Sequence, residues 1–370
     1  MTADAHWTKA LLETNRDVAL VTGMPEIPVV EDTLVWDVWL SAQWLPALTV
    51  ADALGIFDEI DAAPMTEVEL AERMRLNQRG ATAVVRLLAA LGFLSVRQGR
   101  FNLTDVGRLY LLKTSPHYVG AFIRVGRAAL HAQLLKALRD DRGQSTGGSA
   151  GRPRSTASGL PVDDWATGRM PPERARAVTE MMHAHSLSAA LGLSRAADFA
   201  DVRRLLDVGG GSGCFSMALA MRDPELRCTV MDLPTVCEVA RERIAEAGLG
   251  GRVETQAADM FVDAWPRGFD TIFFSNVLHD WSFETCSWLL RRAHDSLPPG
   301  GRVCVHEMLL NDDGCGPVAA AAFSLAMFST TQGQQFTAPE LARLLHEAGF
   351  GSPQIQATSG YYSLMSAYRR

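Results

Sequence analysis

The chain has 370 residues, of which 47% are hydrophobic and 21% charged, a globular balance with enough apolar residues for a sizeable core. This length predicts two domains, or one large domain with an extension. The net charge of −7 does not favour binding to nucleic acid or to an anionic membrane through bulk charge. No segment has the pattern of a signal peptide or of a bilayer span, so we expect a cytoplasmic protein with no membrane partner.

Cysteine usage agrees with a reducing compartment. All six cysteines lie in the C-terminal half, and none form a C-x-x-C pair. This distribution predicts reduced, partly buried thiols and no zinc site built from them. The six are Cys214, Cys228, Cys237, Cys286, Cys304 and Cys315.

The N-terminal part of the chain predicts helices. Residues 1–30 are weakly patterned and indicate either a loose arm or a helix that packs on another subunit. Over residues 33–54 apolar side chains recur at helical spacing, and Gly55 predicts the end of that helix. The capping-box pattern at residues 66–69 starts a second helix that continues over residues 70–74.

A third helix and a hairpin complete a winged-helix pattern. The helix covers 79–91, and Asn77 is its start signal. The hairpin turns at Gln98-Gly99. This order raises the alternative of DNA binding, with 79–91 as the reading helix. That helix offers only Arg79 and Arg86 as long basic side chains, and a basic stripe is missing. The pattern therefore favours a packing or dimerisation module with no nucleic-acid partner.

The middle of the chain combines helices with one low-complexity stretch. A helix is predicted from residue 104 to 112 and another over 171–191, with His183 and His185 near its centre. Residues 141–160 are rich in Gly, Ser and Thr, which bury too little apolar surface to offset the entropy lost on ordering. We expect a mobile loop there, over a substrate entrance.

Beyond Val202, strand and helix patterns alternate. Such alternation predicts a parallel sheet covered on both faces, with ligand-binding residues just after the strands. The last two strands have no helix between them, so we expect them to pair antiparallel. The predicted strands are 205–208, 227–231, 253–256, 271–275, 302–306, 354–358 and 362–368, and the predicted helices are 215–221, 235–247, 285–296 and 339–348.

A glycine-rich turn, Gly209–Gly213, connects the first of these strands to a helix. Glycines let the backbone approach a ligand, and the free N–H groups of the first helical turn face that ligand. The dinucleotide fingerprint G-x-G-x-x-G/A does not fit, because Cys214 stands at its sixth position, and no P-loop Gly-Lys-Ser/Thr occurs. Asp232 ends the second strand, where a carboxylate accepts ribose hydroxyls, and Asp259 is placed to accept an adenine amino proton.

Taken in order, these motifs resemble the S-adenosylmethionine-dependent small-molecule O-methyltransferases of plants and bacteria, such as the caffeate and acetylserotonin enzymes and their natural-product relatives. The resemblance covers nearly the whole chain. The stretches that carry it are Leu205–Gly213, Asp232-Leu233-Pro234, Ala258–Phe261, Asn276–Trp281 and Pro298–Gly301.

The resemblance implies an α/β fold. A Rossmann-like, seven-stranded methyltransferase domain, with its last strand antiparallel, follows a mainly helical, winged-helix-like dimerisation domain. On this basis we expect a homodimer. The dimerisation domain would span 1–115 and the cofactor-binding domain 201–370, and between them linking helices over 116–200 would include the flexible loop 141–160.

The resemblance also implies the cofactor, S-adenosyl-L-methionine, with S-adenosyl-L-homocysteine as its product. The residues implied are Gly209, Gly211 and Gly213 for the methionyl part, Asp232 for the ribose, Asp259 and Met260 for the adenine, and Ser186 near the methionine end. Leu233 and Ser275, the latter where many relatives have a lysine, complete the cofactor-binding set.

His279 is the implied general base. It follows the fourth strand of the sheet, and an imidazole suits removal of a phenol proton. By itself, a buried structural histidine at a strand end fits equally well. Glu307 matches a family carboxylate that orients the histidine. Asp280 either acts on the acceptor or caps the helix whose start Ser282 and Glu284 mark.

One motif departs from the family pattern. Relatives commonly have Gly-x-Glu-Arg-Thr, whose Glu helps hold the catalytic histidine, and here Gln335 occupies that position. A neutral amide orients an imidazole but stabilises its cation less. Two alternatives therefore stay open: methyl transfer to carbon, on an electron-rich ring or a 2-oxo acid, and assistance by a metal. Residues 329–331 supply no second histidine for such a metal.

We favour transfer to a hydroxyl of a small aromatic metabolite, in natural-product metabolism and without a metal. The remote alternative is a non-catalytic, cofactor-binding regulator with a DNA-binding winged helix. His183 and His185 either reach the acceptor or pack around their helix. The acceptor pocket is expected between the domains, and its candidate walls, which also fit an ordinary core, are Met182, Trp281, Phe323, Met327, Phe328 and Gln335.

Overall fold

The computed structural model describes residues 31–115, 117–120, 129–139 and 161–370. The predicted N-terminal arm, 1–30, and the predicted mobile loop, 141–160, lie outside these residues. The helices are α1 Thr33–Leu40, α2 Trp44–Leu54, α3 Ile56–Ala62, α4 Glu67–Met74, α5 Gln78–Ala90, α6 Asp105–Leu111, α7 Ala129–Arg139, α8 Pro161–Thr167, α9 Pro172–Ala196, α10 Cys214–Arg222, α11 Pro234–Glu246, α12 Phe283–Ser296, α13 Val318–Thr330 and α14 Ala338–Glu347.

The strands are β1 Leu94–Arg97, β2 Arg100–Leu103, β3 Arg204–Val208, β4 Arg227–Asp232, β5 Val253–Ala257, β6 Thr271–Ser275, β7 Arg302–Met308, β8 Gln354–Ser359 and β9 Tyr362–Tyr368. The chain divides into two compact units. The first unit comprises the described parts of Thr33–Thr146 together with Met308–Pro339, and the second comprises the described parts of Gly147–Glu307 together with Glu340–Arg370.

The long helix predicted over 33–54 is two helices. A short 3₁₀ turn, Ser41–Gln43, separates α1 from α2. Pro46 explains the break, because it has no N–H to donate and its ring crowds the carbonyl of residue 42. Gly55 ends α2 as predicted, in the left-handed region at φ 80°.

The winged-helix elements form as the sequence predicts. Thr66 and Glu69 make the reciprocal capping box at the start of α4, and the Asn77 side chain accepts a hydrogen bond from Gly80 N at the start of α5. Strands β1 and β2 pair antiparallel around Gln98 and Gly99, whose φ values of 53° and 73° suit a tight hairpin turn.

Helix α13 was not predicted from the sequence. Ten of its residues are buried, so it shows no alternation of apolar and polar faces to detect. It packs on α5 at Gly80, where a Cβ atom would come within 2.5 Å of the Phe328 ring. Leu138 of α7 would meet the same atom at 2.6 Å. A glycine at this position therefore lets the two helices approach closely.

The second unit holds a seven-stranded sheet in the order β5-β4-β3-β6-β7-β9-β8. Strands β3 to β7 pair parallel, and β8 and β9 pair antiparallel as expected. All residues of β6 and β7 are buried, as in a sheet covered on both faces. The predicted fold class is confirmed.

The sheet register brings the functional strand ends together. Val208 lies opposite Met231, Asp232 opposite Ala257, and Ser275 opposite His306. The chain reverses its direction across the sheet between β3 and β6, and in open sheets ligands bind at such a switch point, beyond the carboxyl ends of the strands. The glycine turn follows β3, and the segment leading to His279 follows β6.

No single helix of the described chain is long and apolar enough to cross a bilayer. The helical stretches 33–54 and 56–62 reach such a length and composition only when taken together, and the chain bends by 63° between them.

Gly80→Ala tests the helix contact in the first unit. We expect it to lower the free energy of unfolding by about 1–3 kcal/mol through overpacking against Phe328, although alanine is intrinsically the better helix former. Thermal unfolding measures the effect. Gly251→Ala is the matched control, because its added Cβ would meet no atom within 4 Å. Equal melting temperatures for the two variants would contradict the packing argument.

Candidate active site

The glycine turn has a backbone that only glycine adopts readily. Gly209, Gly211 and Gly213 have φ values of 68°, 55° and 77°. A Cβ on Gly209 would come within 3.0 Å of Val277, and one on Gly213 within 3.1 Å of Val230. A Cβ on Gly211 would meet nothing within 4 Å, so this residue borders open space. The turn is thus shaped as a cradle that presents bare backbone.

Asp232, the last residue of β4, lies beside the glycine turn. Its carboxylate accepts a hydrogen bond from Gly211 N at 2.9 Å and another from Leu233 N at 2.7 Å. Burial raises the pKa of Asp232 to about 6, against these two hydrogen bonds, which lower it. The carboxylate therefore holds the glycine turn directly. This structural role is additional to the predicted contact with ribose.

Asp259 and Met260 follow β5, as predicted. Asp259 is buried, and its carboxylate accepts a hydrogen bond from Phe261 N at 2.9 Å, while Asp263 accepts one from Asp259 N at 2.8 Å. The Trp265 indole donates to Met260 O at 3.0 Å. This local network holds the two predicted adenine contacts on a rigid turn.

Helix α9 packs along the cradle. His183 Nδ1 lies 2.8 Å from Ser212 Oγ, so one of the two unassigned helix histidines is tied to the glycine turn. Ser186 is buried, and its hydroxyl lies 3.2 Å from His185 Nδ1 and 3.5 Å from Asn276 Nδ2. Burial, and to a smaller extent His279, lowers the pKa of His185 to about 3, so that this ring is neutral.

His279 and Glu307 form a buried pair at the ends of β6 and β7. The Nδ1 and Oε2 atoms are 2.6 Å apart, and Glu307 is completely buried. The other carboxylate oxygen, Oε1, has no hydrogen-bond partner in the described chain. A buried carboxylate with one partner favours a positive charge on that partner.

The charge of His279 is set by the groups around it. Burial lowers the pKa of His279, but the carboxylates of Glu307 and Asp280 outweigh burial and raise this pKa to about 9. Asp280 Oδ1 lies 3.8 Å from Nε2, the nitrogen that Glu307 does not contact. Burial raises the pKa of Asp280 to about 7, against the attraction of His279. With Nδ1 donating to Glu307, Nε2 is the nitrogen left to exchange a proton.

The alternative that Asp280 caps the following helix is wrong. The N-cap of α12 is Ser282, whose hydroxyl accepts a hydrogen bond from Thr285 N at 3.2 Å. Asp280 instead lies in a 3₁₀ turn, Leu278–Asp280, that carries His279. The Cys286 thiol donates to Leu278 O at 3.1 Å and so anchors this turn to α12.

Two predicted site residues have their side chains engaged elsewhere. The Ser275 hydroxyl lies 3.0 Å from His306 Nδ1, and Trp281 is buried with its ring 4.9 Å from that of Phe261. Met182, on α9, is half-buried. Sequence reasoning missed His306, which is completely buried and bridges Ser275 to Thr358, because the pattern of a strand buried on both faces does not reveal which residue has a polar partner.

The remaining predicted walls lie in the first unit, on and after α13. Phe323 packs against Trp36 and Trp39, at centroid distances of 5.8 and 6.0 Å. Phe328 lies under the Arg79 guanidinium, 4.8 Å from the ring centroid. These contacts fit the alternative of ordinary core packing. Gln335 is completely buried after α13.

The two basic residues of the would-be reading helix are engaged inside the protein. Arg79 donates to the carbonyls of Phe328 and Thr331, at 3.3 and 3.0 Å, and Arg86 pairs with Glu67 at 3.2 Å. Helix α5 therefore turns its long cations inward, which argues against DNA reading. Within the described residues, no group of three or more His, Cys, Asp or Glu side chains is arranged to hold a metal ion.

Comparison with known proteins identifies the family. The profile of the O-methyltransferase domain matches residues 131–351, and that of the O-methyltransferase dimerisation domain matches residues 41–113. The chain belongs to the O-methyltransferase family. It is an enzyme of the methyltransferase type, as the sequence motifs predict.

Two curated relatives cover most of the chain. The 3-hydroxy-5-methyl-1-naphthoate 3-O-methyltransferase of Streptomyces sahachiroi is 34% identical over 320 residues, 86% of this chain and 89% of the relative. The L-tyrosine C(3)-methyltransferase of Streptomyces lavendulae is 29% identical over 337 residues, 89% of each chain.

Two solved structures share the fold. An O-methyltransferase family 2 protein from Planctomyces limnophilus, in complex with apigenin, has a TM-score of 0.82 and 28% identity, covering 95% of this chain and 100% of its own. PigF with SAH has a TM-score of 0.55 and 26% identity, covering 92% and 100%.

Glu307→Gln tests the origin of the His279 charge. Burial lowers the pKa of His279, and without the Glu307 carboxylate only Asp280 remains to raise it. We therefore expect this pKa to fall from about 9 toward or below its ordinary value. An NMR titration of the ring measures this. Glu284→Gln is the control, because Glu284 is an exposed carboxylate in the first turn of α12. An unchanged midpoint in Glu307→Gln would contradict the assigned cause.

Proposed function

We propose that this enzyme transfers a methyl group from S-adenosyl-L-methionine to a hydroxyl of a small aromatic metabolite, with His279 as general base. The observation that carries the proposal is the buried His279–Glu307 pair, 2.6 Å apart, at the strand edge that also holds the glycine cradle. A Streptomyces relative named as a naphthoate O-methyltransferase supports an aromatic acceptor and a place in natural-product metabolism.

The residues of the cradle fit the cofactor. Bare backbone at Gly211 borders open space, which suits a closely held ligand, and Asp232 lies beside it with a carboxylate suited to ribose hydroxyls. Asp259 and Met260 would frame the adenine, and Ser186 would lie near the methionine end. The solved relative PigF with SAH supports this choice of cofactor. When bound, S-adenosyl-L-methionine supplies a methyl group already activated by its sulfonium charge.

The protein has then to align the acceptor and take its proton. Glu307 accepts from Nδ1 and orients the ring, so that Nε2 removes the proton of the acceptor hydroxyl. Because the pKa of His279 is raised to about 9, the neutral ring that accepts the proton becomes more abundant as the pH rises toward 9, and the buried carboxylate stabilises the imidazolium that forms. Asp280, 3.8 Å from Nε2, adds to the same stabilisation. No metal is required for these steps.

We also propose a homodimer. The dimerisation-domain match supports it, and so does α1, which exposes a cluster of large apolar side chains. Leu34, Val35, Val38 and Trp39 are 73%, 71%, 67% and 54% exposed. Such contiguous apolar patches mark protein–protein contacts. The cytoplasmic location stays a prediction from the sequence.

His279→Ala tests the base. We expect the turnover number to fall by roughly 10² or more, because proton removal by a positioned base contributes that much. The measurement is transfer of a labelled methyl group from S-adenosyl-L-methionine to a panel of phenols. His346→Ala, at an exposed histidine on α14, is the control. Unchanged turnover in a folded His279→Ala enzyme would remove the base role. NMR assignment of the methylated atom separates transfer to oxygen from transfer to carbon.

Val35→Glu tests the dimer. A buried charge in the contact should shift the enzyme from dimer to monomer in sedimentation velocity experiments at micromolar concentration. Ile355→Glu is the control, because Ile355 is 53% exposed on the edge strand β8. A wild-type enzyme that sediments as a monomer would refute the dimer, and an intact dimer in Val35→Glu would exclude α1 from the contact.

A further inference from the structure

His183 is the side chain of α9 that bonds to the glycine turn. Its Nδ1 atom lies 2.8 Å from the hydroxyl of Ser212, the residue that follows Gly211. The ring is only half-buried, and its other nitrogen, Nε2, bonds to no described residue and is not enclosed by the protein. Ser212 therefore holds the ring beside the turn, while Nε2 stays accessible to a ligand.

The turn is open where His183 is attached. A Cβ atom on Gly211 would meet no atom within 4 Å. The turn leads into α10, whose N-cap residue, Gly213, provides no side-chain cap, and helix N-termini attract anions. There is thus space beside the turn, and the backbone there suits a negatively charged group.

The charges around His183 favour an anion as well. Burial lowers the pKa of His183, and Arg243 of α11 lowers it further, whereas Glu180 of α9 raises it to a smaller extent. Within the described chain these two are the charged groups that act on the ring, and the contact from the turn, Ser212, is uncharged. The ring is therefore neutral at neutral pH, in a place where positive charge predominates. An anion bound there would favour the imidazolium.

We propose that His183 is a cofactor-binding residue that pairs, through Nε2, with the carboxylate at the methionyl end of S-adenosyl-L-methionine and takes up a proton from solvent as it does so. Nδ1–H then donates to Ser212 Oγ, and Nε2–H donates to the carboxylate. Ser186, proposed for the same end of the cofactor, lies three residues further along α9 and so on the same face. This inference rests on the proposed function and adds how the amino-acid end of the cofactor is held.

Binding calorimetry with two ligands tests the pairing. S-adenosyl-L-homocysteine keeps the amino-acid end, and 5′-methylthioadenosine lacks it. Titrations in buffers that differ in their heats of ionisation count the protons taken up on binding. At about pH 7 the wild type should take up roughly 0.5–1 proton more per site with S-adenosyl-L-homocysteine, because the carboxylate raises the pKa of His183 past that pH. Equal uptake with the two ligands would overturn the pairing.

His183→Asn tests the residue itself. Asparagine still reaches Ser212, but it takes up no proton and does not extend to the position of Nε2. Binding of S-adenosyl-L-homocysteine should weaken about tenfold or more, the loss of a charge-assisted hydrogen bond, and binding of 5′-methylthioadenosine should change by about twofold or less. His346→Asn, at an exposed histidine on α14, is the control and should change neither.

Two outcomes guard against a merely structural role of His183. Retained binding of 5′-methylthioadenosine shows that His183→Asn is folded, and an equal loss for both ligands would show that His183 only shapes the turn, which would overturn the pairing. If His183→Asn does not fold, the proton count of the wild type decides the proposal by itself.

The results also separate this inference from the proposed function. If S-adenosyl-L-homocysteine binds without the excess proton uptake, the pairing fails and the proposed function stands. If the uptake occurs and depends on His183 but no phenol is methylated, the pairing stands and the proposed acceptor chemistry fails. If neither ligand binds, both fail.

Discussion

Glu307 faces the His279 imidazole at 2.6 Å and is completely shielded from water. A carboxylate in that position needs a positive partner, since desolvation of an unpaired charge is expensive. The local architecture follows this requirement: β6 and β7 lie side by side so that their carboxyl ends meet, and a 3₁₀ turn held by Cys286 places the ring on the carboxylate. The result is a buried imidazole whose pKa is raised to about 9.

The same edge of the sheet carries the cradle. Asp232 bonds to Gly211 and so couples the end of β4 to the turn after β3, while His183 ties that turn to α9 through Ser212. A glycine turn with three residues at positive φ would otherwise be flexible. The backbone of the turn is therefore held in place by side chains from two elements, Asp232 of β4 and His183 of α9.

Much of the fold was predictable because its signals are local. Strand and helix alternation, the capping box at Thr66 and the hairpin at Gln98-Gly99 depend on neighbours in sequence, and all formed. Helix α13 escaped prediction because burial on every side removes the periodicity on which such predictions depend. The break near Pro46 was missed because the apolar spacing of α1 and α2 continues across it. The pairing of His279 with Glu307 was expected only from the resemblance.

The sequence by itself determined the order of the elements, the glycine turn and the family, because these are properties of residues close together in the chain. The tertiary structure decided what each polar side chain is paired with. It separated Glu307, bonded to His279, from Ser275, bonded to His306, and it assigned the helix cap to Ser282 instead of Asp280. It also left the Gln335 amide buried without a partner. Pairing depends on which distant strands and helices meet, and no local pattern encodes that.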